Sequence, residues 1–123
     1  VKMIKQSRDF HKYKVWQEAV DFATEVYTVT TSLPWFEKKG LCDQLQRAVV
    51  SISSNIAEGA GHSTDADFAR FLDFALGSAN EVETQLLISR NIGYIKEEHY
   101  IRLIDKLMAI QKQLVGLINT IRK

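Results

Sequence analysis

Residues 44–61, QLQRAVVSISSNIAEGAG, decide how the rest of this chain is read. Leu45, Val49, Ile52 and Ile56 recur at 4-3-4 spacing, which places them on one face of an α-helix. A second row, Gln44, Arg47, Ser51, Asn55 and Glu58, repeats at 3-4-4-3 beside it. The two rows are offset by about one residue, or about 100° of helical rotation, so the polar row flanks the core instead of opposing it. Ser and Asn side chains compete for backbone hydrogen bonds and suit helix interiors poorly. Ser51, Ser53, Ser54 and Asn55 therefore need a reason. Either they face solvent and let a neighbouring helix approach, or they form a partly buried network that fixes helix register or a subunit contact.

On either side of this helix, expected over about 41–60, the same rhythm continues. A first helix is expected over about 13–32, with Val15, Trp16, Ala19, Val20, Phe22, Ala23, Val26, Tyr27 and Val29 covering about half its circumference. Pro34 disfavours helical geometry at Leu33 and stops it. The connector Trp35-Phe36-Glu37-Lys38-Lys39-Gly40 holds two aromatics whose size favours packing back on the body; exposed, they would suit stacking on bases. Gly59 and Gly61 are expected to close the second helix, either being free to adopt the left-handed cap. Ser63 or Thr64, with Asp65 and Asp67, supplies an N-cap and acidic first turn for a third helix over about 64–93.

In that third helix Phe68, Leu72, Ala75, Ala79, Val82 and Leu86 keep the apolar rhythm, and Ser78, Glu81 and Gln85 form another polar row beside it. The short turn at 61–63 makes the second and third helices neighbours, so this row is expected to meet Ser51, Asn55 and Glu58, with Gly77 and Ala79 allowing close approach. A fourth helix is expected over about 96–122; its apolar residues spread over roughly 200°, more than one core face requires, and the excess points to self-association. Residues 1–123 are thus one all-α domain, an antiparallel up-down-up-down four-helix bundle.

Composition narrows the function classes. The 46% hydrophobic and 25% charged fractions are those of a globular protein, and the one cysteine, Cys42, forms no intrachain disulfide. No apolar run approaches the ~18 residues of a membrane helix and residues 1–10 lack a signal-peptide core, so no membrane partner and a cytoplasmic location are the expectation. The near-zero net charge hides an uneven distribution. Residues 1–14 carry five basic groups against one acidic, residues 15–95 five against eleven, and residues 96–123 six against three. Basic ends around an acidic middle mark a polyanion-binding surface or simply solvated termini. Lys12, Lys14 and Arg47 are the candidate phosphate contacts, with Arg47 also placed to pair with Glu58 or Glu81.

Catalytic chemistry has little to build on. His11, His62 and His99 fall at a terminus and at helix ends, and no Glu-x-x-His occurs, so the ligands of a di-metal bundle are missing. Gly59-Ala60-Gly61 ends a helix instead of opening one after a strand, which is not a phosphate-binding loop. No metal, no cofactor and no enzymatic activity are expected.

Ser51-Ile52, Asn55 to Gly59, Gly61, Phe71-Leu72, Ala75, Gly77-Ser78 and Glu81, with Val15-Trp16, Gly40-Leu41, Gln44-Leu45 and Arg47-Ala48, carry a resemblance. Over about residues 9–95 the chain resembles the four-helix-bundle proteins encoded in intervening sequences of bacterial 23S rRNA genes. That family is similar to the accessory variability determinant protein of diversity-generating retroelements. The resemblance implies a pentameric helical barrel that binds RNA or DNA and a reverse transcriptase. Gln46 and His62 depart from the family pattern, which often has basic residues there; both departures remove charge. Two functions are carried forward: a homo-oligomeric scaffold with weak, sequence-independent nucleic-acid binding, and a protein-binding adaptor without it.

Overall fold

A computed structural model of the chain describes residues 8–123; Lys2 and Lys5, part of the basic N-terminal stretch, lie outside the described residues. Among the described residues there are four α-helices and no strands: α1 (Lys14–Thr30), α2 (Leu41–Ala60), α3 (Asp65–Ile92) and α4 (Glu97–Ile121). Two short 3-10 turns, Phe10–Lys12 and Trp35–Glu37, were not legible from the apolar periodicity.

Local chemistry sets the helix ends. Of the two candidate caps for α3 it is Thr64 that acts, its hydroxyl accepting from the Asp67 N–H at 3.1 Å. The helix closes at Gly93, whose φ of 96° lies in the left-handed region. There the Gly93 N–H reaches the Arg90 carbonyl and the Tyr94 N–H reaches that of Ser89, the paired bonds of a Schellman motif. At 28 residues α3 is about 42 Å long. The end of α1 unwinds through hydroxyls that bond back to the chain: Thr30 to the Tyr27 carbonyl, Thr31 to Thr28 and Ser32 to Val29, each at 2.7 Å.

One continuous core fills the space between the helices. Leu45, Val49, Ile52 and Ile56 of α2 are fully buried against Phe68, Leu72, Ala75, Ala79, Val82 and Leu86 of α3. Val15, Ala19, Phe22 and Val26 from α1 and Leu103, Leu107, Ile110 and Leu114 from α4 complete it. The α2–α3 pair shares the most extensive contact. Its pairings step down one helix as they step up the other, from Gly59 against Phe68 and Phe71, through Ser51 with Ser78, to Gln44 with Gln85.

The glycines behave differently from the sequence expectation. Neither Gly59 nor Gly61 takes a left-handed conformation, and the Gly61 backbone is right-handed at φ −79°. Gly59 is needed for proximity instead: a Cβ there would stand 2.5 Å from Phe71 Cβ and 3.3 Å from the Phe68 carbonyl oxygen. Gly77, expected at the helix crossing, lies on the exposed side of α3, where an added methyl group would meet nothing within 4 Å, whereas Ala79 is buried. The glycine that the approach of α2 to α3 requires is thus Gly59, near their connecting turn.

Candidate functional site

The polar rows of α2 and α3 line the seam between these helices. Ser78 Oγ donates to Ser51 Oγ at 2.8 Å, and Asn55 Nδ2 reaches both the carbonyl and the hydroxyl of Ser51 at 2.8 Å. These three side chains are half-buried. Two helical turns further along, Gln85 is 6% exposed; its Nε2 stands 3.5 Å from Gln44 Oε1 and from Glu81 Oε2, while its Oε1 has no partner among the described residues. Glu58 is exposed and makes no hydrogen bond to this row among the described residues. Serine hydroxyls held by each other and by an amide lack the adjacent base that activates a nucleophile. What the arrangement does is couple the register of α2 to that of α3.

Asn55→Leu removes both amide contacts to Ser51 without changing the apolar face of α2. The expected result is a loss of about 1–3 kcal/mol, read as a lower thermal midpoint, since the half-buried Ser51 and Ser78 hydroxyls lose their organising partner. An unchanged midpoint would mean that water satisfies the row equally well.

The basic candidates are not gathered by the fold of one chain. Lys12 is exposed beside Arg8, Asp9 and Tyr13, and Lys14 lies 3.5 Å from Glu18, one turn along α1. Arg47 pairs with Asp43 at 3.0 Å, one turn back along α2, and not with Glu58 or Glu81. Its side chain is 79% exposed. Arg47 sits near the far end of α1, where its neighbour Gln46 donates to Thr30 Oγ1 at 3.1 Å; the 17 residues of α1, about 25 Å, separate it from Lys14.

Two features escaped sequence reasoning. Arg8, read as part of a basic run that either binds a polyanion or is simply solvated, has a side chain only 8% exposed: it donates to the His62 carbonyl and to Asp65, and its guanidinium lies 4.9 Å from the Phe68 ring centroid. It ties the start of the described chain to the α2–α3 turn. Trp35 and Phe36, expected to pack back on the body, are instead 87% and 61% exposed. Leu33 and Glu37 anchor the connector in their place, because Leu33 is buried while Glu37 accepts from the Leu41 N–H at 3.2 Å and from the Tyr94 hydroxyl at 2.9 Å. That bond to a carboxylate, with some burial, raises the Tyr94 pKa above that of a free phenol.

Among the described residues no three His, Cys, Asp or Glu side chains are grouped to hold a metal ion, and no helix is long and apolar enough to cross a membrane. No curated protein sequence matches the chain. The crystal structure of a protein of unknown function from the S23 ribosomal protein family of Bacteroides thetaiotaomicron VPI-5482 is similar, with a TM-score of 0.78 at 30% identity. The similarity covers 85% of this chain and 97% of that one. Residues 11–116 match the family described as 23S rRNA-intervening sequence protein, and the chain belongs to that family.

Proposed function

We infer that this chain is the subunit of a non-enzymatic, homo-oligomeric helical scaffold of the cytoplasm that binds nucleic acid weakly and without sequence preference. The subunit is an antiparallel up-down-up-down bundle and the assembly a closed ring, a pentamer by the resemblance to the variability determinant protein. One observation carries the reading. Ile101, Met108 and Val115 recur every seven residues along α4 at 50%, 45% and 43% exposure, and Val20 and Tyr27 do so along α1 at 37% and 43%, outside a core that is complete without them. Two different apolar stripes on one body suit heterologous contacts, which close into a ring when the rotation between subunits divides the circle. Repetition then multiplies the few basic groups of each subunit: one or two phosphate contacts per subunit become roughly five to ten in the ring, enough for strongly salt-dependent binding.

A second reading, a protein-binding adaptor without nucleic-acid affinity, is favoured by the pairing of Lys14 with Glu18 and of Arg47 with Asp43, which offsets two of the three candidate charges. A salt series decides between them. Light scattering should give an oligomer at micromolar concentration, and labelled RNA and DNA should bind at low salt and lose affinity by orders of magnitude toward physiological salt. Lys12→Glu with Lys14→Glu should weaken that binding while the mass is unchanged. A monomer removes the scaffold, and absence of binding at low salt leaves the adaptor, for which a pull-down with a reverse transcriptase tests the partner that the resemblance implies.

A further inference from the structure

The two most exposed large apolar side chains of the described residues are consecutive, Trp35 and Phe36, in the turn that joins α1 to α2. Their rings meet edge to face, with centroids 6.0 Å apart and planes at 85°, so ring faces remain open to solvent. Lys38 and Lys39 follow, both exposed, and neither is ion-paired among the described residues.

The turn is held rigidly from within. Pro34 presets its entry at φ −59°, and the Glu37, Lys38 and Gly40 N–H groups bond to the carbonyls of Pro34, Trp35 and Glu37 at 2.9–3.1 Å. Glu37, the one carboxylate of residues 31–40, is occupied by the Leu41 N–H and the Tyr94 hydroxyl. The outward surface is left with aromatic faces and ammonium groups that make no ion pair among the described residues, already ordered before any ligand arrives.

We propose that Trp35, Phe36, Lys38 and Lys39 form a platform for single-stranded nucleic acid, on which unpaired bases stack against the rings and the adjoining phosphates meet the two ammonium groups. The proposal rests on the nucleic-acid reading above and adds to it a surface distinct from that of Lys12 and Lys14. Stacking is tolerant of sequence because every base has a π-face, and it demands single strands because inside a duplex those faces are covered by the neighbouring base pairs. A protein partner fits less well, since interface cores are depleted in lysine. A bilayer also fits less well: the one aliphatic side chain of the turn, Leu33, is buried, so the rings have no exposed apolar companion with which to insert. The turn lies at the far end of α1 from Lys12 and Lys14, and in a ring of cyclic symmetry all its copies share one rim.

The chain has two tryptophans, so Trp16→Phe leaves Trp35 as its single indole reporter. Oligothymidylate should quench this fluorescence along the isotherm given by anisotropy of the labelled strand. Trp35→Ala with Phe36→Ala should weaken binding by about 5- to 100-fold for each stacked base that is lost. Lys38→Gln with Lys39→Gln should flatten the slope of log K against log salt by about 1.4 per bound subunit, one phosphate being released for each lysine. All four side chains are exposed, so helicity by circular dichroism and the mass of the assembly should not change; a change in mass would make the turn a subunit contact and overturn the platform. Binding undiminished in both double variants overturns the platform and leaves the scaffold reading standing, whereas no binding by the unmodified protein at low salt removes both. Equal binding of duplex DNA, or a response of Trp35 to phosphatidylserine vesicles and not to the oligonucleotide, also overturns it.

Discussion

Replacing Gly59 by alanine is expected to destabilise the fold by about 3 kcal/mol, the upper part of the range for forcing a methyl group into a packed site. The new Cβ would stand 2.5 Å from Phe71 Cβ, 3.2 Å from Phe68 Cδ1 and 3.3 Å from the Phe68 carbonyl oxygen. None of these atoms is the loose end of a flexible side chain. Relief requires α2 to move away from α3, which would disturb Ala60, Phe68 and the other buried residues that surround this crossing. The gain in helix propensity from Gly to Ala, about 1 kcal/mol, does not offset that. For a domain of this size the thermal midpoint should fall by roughly 10 °C or more. The same substitution at Gly77 meets nothing within 4 Å and should be neutral or stabilising, so the pair separates a crowding effect from a propensity effect. A Gly59→Ala protein as stable as the parent would show that α2 and α3 do not approach this closely.

The second large effect is expected on assembly. Met108 and Val115 are 45% and 43% exposed on a folded subunit, so Met108→Lys with Val115→Lys should leave helicity and the subunit core intact. If the α4 stripe is a subunit contact, each lysine must be desolvated there without a partner, a penalty of several kcal/mol. At 1.4 kcal/mol per decade, association should weaken by about a hundredfold or more at each contact. Sedimentation of the variant should therefore show subunits or small fragments of the ring where the parent shows one closed species. Parent and variant sedimenting alike would remove α4 from the interface.

The sequence by itself determined the four helices and most of the core. The 4-3-4 rhythm of Leu45, Val49, Ile52 and Ile56 names the buried face of α2, since hydrophobic burial acts through side-chain direction, which helical geometry sets locally. Breakers and caps such as Pro34 and Thr64 act within a turn of their own position and are legible for the same reason. The candidate site was legible in part: the two polar rows were visible, but not that Ser51, Asn55 and Ser78 would bond together while Glu58 stayed outside. Which members of a row meet depends on the crossing of two helices, and that crossing is set by contacts far apart in the chain, here Gly59 against Phe68 and Phe71. Tertiary structure also decided the fate of Arg8 and Trp35. A buried arginine needs an acceptor and a ring that only the α2–α3 turn supplies. An aromatic stays exposed when its turn is already anchored by other residues, as Leu33 and Glu37 anchor this one. Side-chain size gives a preference for burial, but only the folded neighbourhood provides, or withholds, the space.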